Sequence, residues 1–249
     1  MSWNDGDFNY LEDIKEITRR MTKPRLTRSD KLRITRTRAY LLSWFAENGR
    51  DLPWRAPGAT TFEKICVEVL LQRTCAETVA GIYGSFFARF SGWTAIAQAD
   101  REELEEHLKP IGLWKRRAVS IQGLARYAEA HCGIFPVDAS EHADIPGVGQ
   151  YVSNAILLFQ HGKAHPLLDV NMARVLERVV RPRVLADIRC DPWLQEAAAW
   201  LVKGDRPEAV NWAVLDYAAA LCKARSPCCD SCRIRRSCSW SRHNRAKQG

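Results

Sequence analysis

Ile145-Pro-Gly147-Val148-Gly149-Gln150-Tyr151-Val-Ser-Asn-Ala-Ile156 sets two glycines on either side of one apolar residue, directly ahead of a helical period. Val152, Ala155, Ile156 and Phe159 follow at i, i+3, i+4 and i+7, the buried stripe of a helix. Glycine lets the backbone approach a ligand closely, and a helix start turns unpaired N–H groups outward. Gly147, Val148, Gly149 and Gln150 therefore make a concavity that suits a phosphate and reads no base. The same glycines also suit an ordinary turn, so their meaning rests on what surrounds them.

Working outward, the chain reads as helical on both sides. Upstream, Arg38–Glu47 buries Leu41, Leu42 and Phe45, ends at Asn48-Gly49, and leads into the connection Arg50-Asp-Leu-Pro-Trp-Arg55. Helical periods follow over Phe62–Arg73, Ala76–Phe90, Trp93–Ala99, Arg101–Leu108 and Lys115–His131. Beyond the hairpin helix, Gly149–His161, come Asn171–Val180, Pro192–Leu201 and Pro207–Cys222, with Pro or Gly turns between. No β-hairpin and no repeat emerges, so the fold class is all-α.

The 249 residues suffice for one large domain or two small ones. The acidic start Met-Ser-Trp-Asn-Asp-Gly-Asp argues against a signal or transit peptide, and no apolar run suits a bilayer span. A cytoplasmic, nucleoid-associated monomer with no membrane partner is expected. Net charge is +8, but residues 19–38 hold nine basic residues against one acid, and 222–249 hold eight against one. Those segments carry +15 and the remainder −7. Two basic tracts on an acidic body predict a polyanion partner, most simply nucleic acid, with binding that weakens steeply in salt. Residues 1–30 read as a basic, weakly ordered segment, and such a run also suits a solvated tail.

Five of nine cysteines crowd into residues 222–238, which points to metal binding rather than a disulfide framework. Cys222, Cys229, Cys232 and Cys238 stand at C-x6-C-x2-C-x5-C, a thiolate set of the kind that holds an iron–sulfur cluster. Zinc is the rival, since Cys229 and Cys232 form a C-x2-C pair. Cys228 adjoins Cys229 and competes as a ligand. Cys66, Cys75, Cys132 and Cys190 are expected to be buried thiols. Lys115, Arg116 and Arg117 offer a phosphate patch, as does the basic loop among the clustered cysteines.

The hairpin, Leu168-Asp169-Val-Asn171 twenty residues later, and the cysteine terminus together resemble the endonuclease III superfamily of helix-hairpin-helix DNA glycosylases. The match runs over roughly residues 38 to 240. It implies a two-domain fold: a six-helix barrel over 57–163 carrying the hairpin, and a [4Fe-4S] cluster domain built from 31–56 and 164–249. It also implies double-stranded DNA with a mispaired or damaged base as the partner.

The superfamily's aspartate falls on Asp169, where a carboxylate would stabilise positive charge on deoxyribose and direct a water. An acid just before a helix also suits an N-cap. Asn171 matches a position that assists the aspartate in mismatch-specific members, and it too suits an N-cap. Bifunctional members carry a lysine at position 151, whose amine forms a Schiff base with C1′. Tyr151 cannot form one, so base hydrolysis without strand cleavage is expected; a tyrosine here resembles the thymine/uracil mismatch glycosylases. Glu68, in Val67-Glu68-Val-Leu-Leu-Gln72-Arg73-Thr74, resembles the acid of the mismatch-specific members; burial would raise its pKa toward contacting the leaving base. A surface glutamate beside Lys64 is the alternative. Gln72 and Arg73 sit where the family inserts a wedge into the duplex.

The expectation is therefore a monofunctional glycosylase for thymine or uracil mispaired with guanine. An adenine glycosylase acting opposite 8-oxoguanine is the neighbouring reading. It shares Arg50–Arg55 and Glu68 but usually has a further C-terminal domain, whereas this chain stops about ten residues after Cys238. A noncatalytic DNA-binding module is the third, and Asp169 together with Glu68 argues against it.

Overall fold

Thr27 and Asp30 exchange side-chain and backbone hydrogen bonds in a capping box, which starts helix α1 at Arg28–Asn48. The computed structural model describes residues 26–246, so most of the basic segment 1–30 lies outside the described residues. Helix α1 begins ten residues earlier than its apolar pattern predicts, because the cap sets the start and a strongly basic first half hides the period. Ile34 and Leu41 are the buried face of α1.

Ten further α-helices follow among the described residues: α2 Thr61–Leu70, α3 Ala76–Arg89, α4 Trp93–Ala97, α5 Arg101–Leu108, α6 Trp114–Ala130, α7 Gln150–Phe159, α8 Val170–Val179, α9 Pro192–Val202, α10 Pro207–Ala220 and α11 Ser239–Ala246. Short 3-10 turns occupy Pro53–Arg55, Lys109–Ile111 and Ala139–Asp144. The all-α expectation is borne out. None of the described helices is long and apolar enough to cross a membrane.

Two hydrophobic cores organise these helices. One gathers α2 to α7 around Ile65, Leu70, Phe86, Phe90, Leu104, Leu124 and Ile156. The other packs α1 against α8, α9 and α10 around Ile34, Leu41, Val175, Leu194, Leu201 and Tyr217. Fully burying a Leu or Phe side chain contributes roughly 1.5–3 kcal/mol, so each core is a substantial driving force. Where the two meet, Asp216 of α10 is 1% exposed and accepts from Arg50 N (2.8 Å), Arg50 Nε (2.7 Å) and both terminal nitrogens of Arg55 (2.7 and 3.1 Å). Those bonds pin the connection Arg50–Arg55 across the junction. Arg50 also reaches Glu77 at the start of α3, at 2.9 Å.

Helix α2 ends at Leu70, three residues short of the expected Arg73. Its C-terminal carbonyls are taken by a side chain from α6: Arg117 donates to the carbonyls of Leu70 and Gln72. Arg73 then adopts φ 60°, which no α-helix can continue through.

Candidate active site

Helix α2 is buried on every side from Ile65 to Leu70, so Glu68 is carried into the interior at 2% exposure. The surface alternative for this residue is thereby excluded. Tyr151, in the first turn of α7, donates its hydroxyl to Glu68 Oε2 at 2.7 Å. Burial pushes the Glu68 carboxyl up to about 7, with the Tyr151 bond and the Arg55 charge pulling it down less strongly and Asp169 adding to the rise. Burial also raises the Tyr151 phenol well above its ordinary value, followed by the charges of Glu68 and Asp169.

Of the two roles read from the sequence, the structure displays the N-cap at Asp169. The residue caps α8, accepting at Oδ1 from the backbone of Asn171 and Met172, both at 2.9 Å. Its Oδ2 takes the Asn171 amide at 2.5 Å. Burial raises its carboxyl above the usual aspartate value, although these hydrogen bonds and Arg174 act the other way. Asn171 is therefore no cap: it is the second residue of the helix and holds the aspartate, while its own Oδ1 accepts from Arg174 at 2.9 Å.

Glu68, Tyr151, Asp169 and Asn171 line one open cleft of about 820 Å³ at the junction of the two cores. Gln72, Arg73 and Gln150 lie on its walls as well. No lysine is among the described residues that line it. Arg55 and Trp212 also line the cleft, and Arg55 Nε and Trp212 Nε1 are buried without a hydrogen-bond partner. Sequence reasoning missed Trp212 and Asp216; neither belongs to a motif, and only the fold brings them to the junction.

The hairpin turn docks on α6. Gly147 has φ 80°, and a Cβ there would meet Ser120 O at 2.6 Å, so glycine is required twice over. A Cβ on Gly149 would meet nothing within 4 Å, which leaves its surroundings open to a ligand. Val148 instead packs against the first core. Gln150 bonds to Gln195 of α9 at 2.9 Å. Lys115 and Arg116 are exposed at the start of α6, away from the cleft lining. Arg117 departs from the expected basic patch: it is 5% exposed and turned inward.

The five clustered cysteines line one small cavity with Arg178 and Tyr217. Burial raises the Cys229 thiol, and Cys232, Cys238 and Cys222 raise it further. Cys238 is likewise raised, first by burial and then by Cys222 and Cys232. The Tyr217 hydroxyl lies 2.8 Å from Cys232 Sγ, and Arg178 Nη1 donates to Cys222 Sγ at 3.5 Å. Among the described residues no three such side chains are grouped to hold a single metal ion. Outside this set only Cys66 is buried; Cys75, Cys132 and Cys190 are exposed, contrary to expectation. Cys75 precedes α3 on the cleft wall, and the other two occupy turns, where an apolar thiol finds no core to enter.

The HhH-GPD superfamily of base excision DNA repair proteins matches residues 66–183. A thymine-DNA glycosylase of Aeropyrum pernix is 34% identical over 85% of this chain and 96% of its own length. The chain belongs to the HhH-GPD superfamily. The solved structure of a thermostable thymine-DNA glycosylase superposes on this HhH-GPD protein with a TM-score of 0.77 and 28% identity, covering 85% of this chain and 97% of that one. An adenine DNA glycosylase of Mycobacterium tuberculosis is 30% identical over 80% of the chain and 66% of its own length. The family resemblance carried by the hairpin, Asp169 and the cysteines is borne out.

Proposed function

We propose that this chain is a monofunctional DNA glycosylase that hydrolyses thymine or uracil from mispairs with guanine in double-stranded DNA. The observation that carries the reading is the Tyr151–Glu68 hydrogen bond in a cleft whose described lining holds Asp169 and no lysine. The extruded nucleotide enters the cleft. Asp169, held by Asn171, stabilises positive charge at C1′ and directs the attacking water. Glu68, protonated near neutrality, hydrogen-bonds the departing base, and Tyr151 orients it. With no lysine among the described cleft residues to attack C1′, the product is an abasic site in an unbroken strand. The backbone at Gly147–Gln150, with Lys115 and Arg116, holds phosphates, while Gln72 and Arg73 fill the emptied stack.

The thymine-DNA glycosylase names of the relatives support the choice of base. The adenine reading is supported by the Mycobacterium tuberculosis relative and by Glu68, which suits both.

Cys222, Cys229, Cys232 and Cys238 are the residues that would hold a [4Fe-4S] cluster. Their shared cavity and their C-x6-C-x2-C-x5-C spacing fit such a group. Such a group supplies a rigid cross-link and no step of base removal. Arg178 pins the surrounding loop through the carbonyls of Lys223 and Ala224.

Single-turnover excision on G·T, G·U, A·T and adenine opposite 8-oxoguanine, each split with and without alkali, tests the reading. Alkali-dependent breaks at G·T and G·U alone are expected. Breaks at the adenine select the neighbouring reading, and breaks without alkali overturn the monofunctional one.

A further inference from the structure

We infer that Arg117 is a positioning residue for base extrusion, a buried guanidinium that locks two turns at the cleft edge into one rigid unit. The inference rests on the glycosylase reading and deepens it.

The guanidinium is 5% exposed. It donates to Gly112 O at 2.8 Å, to Leu70 O, to Gln72 O at 2.7 Å and to Thr74 Oγ1 at 2.6 Å. Thr74 in turn donates to Ile111 O at 3.2 Å, closing a ring between the 70–74 and 111–114 segments. Every one of these acceptors is a carbonyl or a hydroxyl; none is a carboxylate. Burying a cation among neutral acceptors costs free energy that a well-packed apolar side chain would avoid. Burial accordingly lowers the Arg117 pKa from its ordinary value. Only the planar fork of an arginine reaches four acceptors on two segments at once.

What the lock holds is strained backbone. Arg73, Gly112 and Leu113 have φ of 60°, 71° and 52°, and all lie within these two turns. Left-handed non-glycine residues persist only where surrounding structure over-determines them. Beyond the lock the side chains face outward: Gln72 and Arg73 are exposed, and Leu113 is 52% exposed. A side chain that replaces an extruded base must be held before the duplex opens, because ordering a loose turn during extrusion would add to the barrier. Lys115 and Arg116 precede Arg117 on the same helix and face solvent. The proposed phosphate contacts and the turn lock therefore share the first turn of α6.

The test uses a duplex with 2-aminopurine beside the mispair, whose fluorescence rises as the stack opens, followed by stopped flow with full-length protein. Arg117→Met and the milder Thr74→Val are compared with wild type, and folding is checked by thermal melting. The expected result is a rise slowed about tenfold or more for Arg117→Met and less for Thr74→Val. Affinity for a duplex that already contains an abasic analogue, where no base needs extruding, stays within about twofold. Arg117→Lys recovers part of the rate. An unchanged fluorescence rise in a folded Arg117→Met protein overturns the inference. So does a parallel loss of extrusion rate and abasic-duplex affinity, which marks a general structural role. Wild-type protein that gives neither a rise nor excision on G·T and G·U defeats the glycosylase reading instead.

Discussion

Glu68 and Asp216 are both carboxylates at 2% and 1% exposure, and their environments drive them in opposite directions. Burial alone would raise both. At the cleft wall Glu68 meets one phenol and feels the charge of Arg55, and burial still leaves its pKa at about 7. At the junction the hydrogen bonds and charges of Arg55 and Arg50 outweigh burial, and Asp216 falls below its ordinary value. The Arg55 fork is spent on Asp216, so it does not neutralise Glu68. The difference teaches that burial sets the cost of charge, while the partner decides whether the group keeps its proton near neutrality or serves as an ionised brace.

The sharpest break of the comparison is at the third carboxylate. Asp169→Asn should keep the cap and remove the charge, lowering single-turnover excision about a thousandfold while melting stays near wild type. Asp216→Ala attacks the brace. It leaves two arginines without their acceptor and should cost about 3 kcal/mol in denaturant unfolding, with excision lost only as far as the fold is lost. Glu68→Gln attacks the proposed contact to the departing base, and about a hundredfold loss of excision is expected. Wild-type excision should decline as pH rises through about 7, and the Glu68→Gln profile should lack that decline. Tyr151→Phe is the gentlest change, with less than about fivefold effect on rate. The Tyr151 bond lowers the Glu68 pKa, so its removal should move the decline to higher pH; a shift the other way would refute that role.

Stability against pH separates the two groups further. Glu68 binds its proton more tightly when folded, so its contribution is present below the ordinary value of 4.5 and lost as pH rises toward about 7. Asp216 has a depressed folded pKa, so its contribution is present above the ordinary 3.8 and lost as pH falls through the folded value. Melting curves of Glu68→Gln and wild type should therefore diverge between pH 4.5 and about 7 and stay apart above it.

Much of the site was legible as motif. Two glycines before a period, an acid ahead of a helix and four spaced cysteines each state a local requirement that neighbouring residues suffice to express. Position 151 could be read from its chemistry, because a phenol cannot make an imine. The start of α1 and the end of α2 were not legible. The first depended on a cap outside the apolar pattern, and the second on a side chain forty-seven residues away in sequence. The lock at Arg117 was misread as surface charge for the same reason.

Sequence by itself determined the all-α class and the family, and it placed the hairpin, Asp169 and the cysteine set as candidates, since each rests on spacing along the chain. Tertiary structure alone decided that Glu68 is buried, that Tyr151 reaches it, that Asp216 occupies Arg55, and that Arg117 turns inward. Those four facts concern which charges lose water and which partners they then meet. Hydration and partnership arise only when distant segments pack, so no local pattern encodes them.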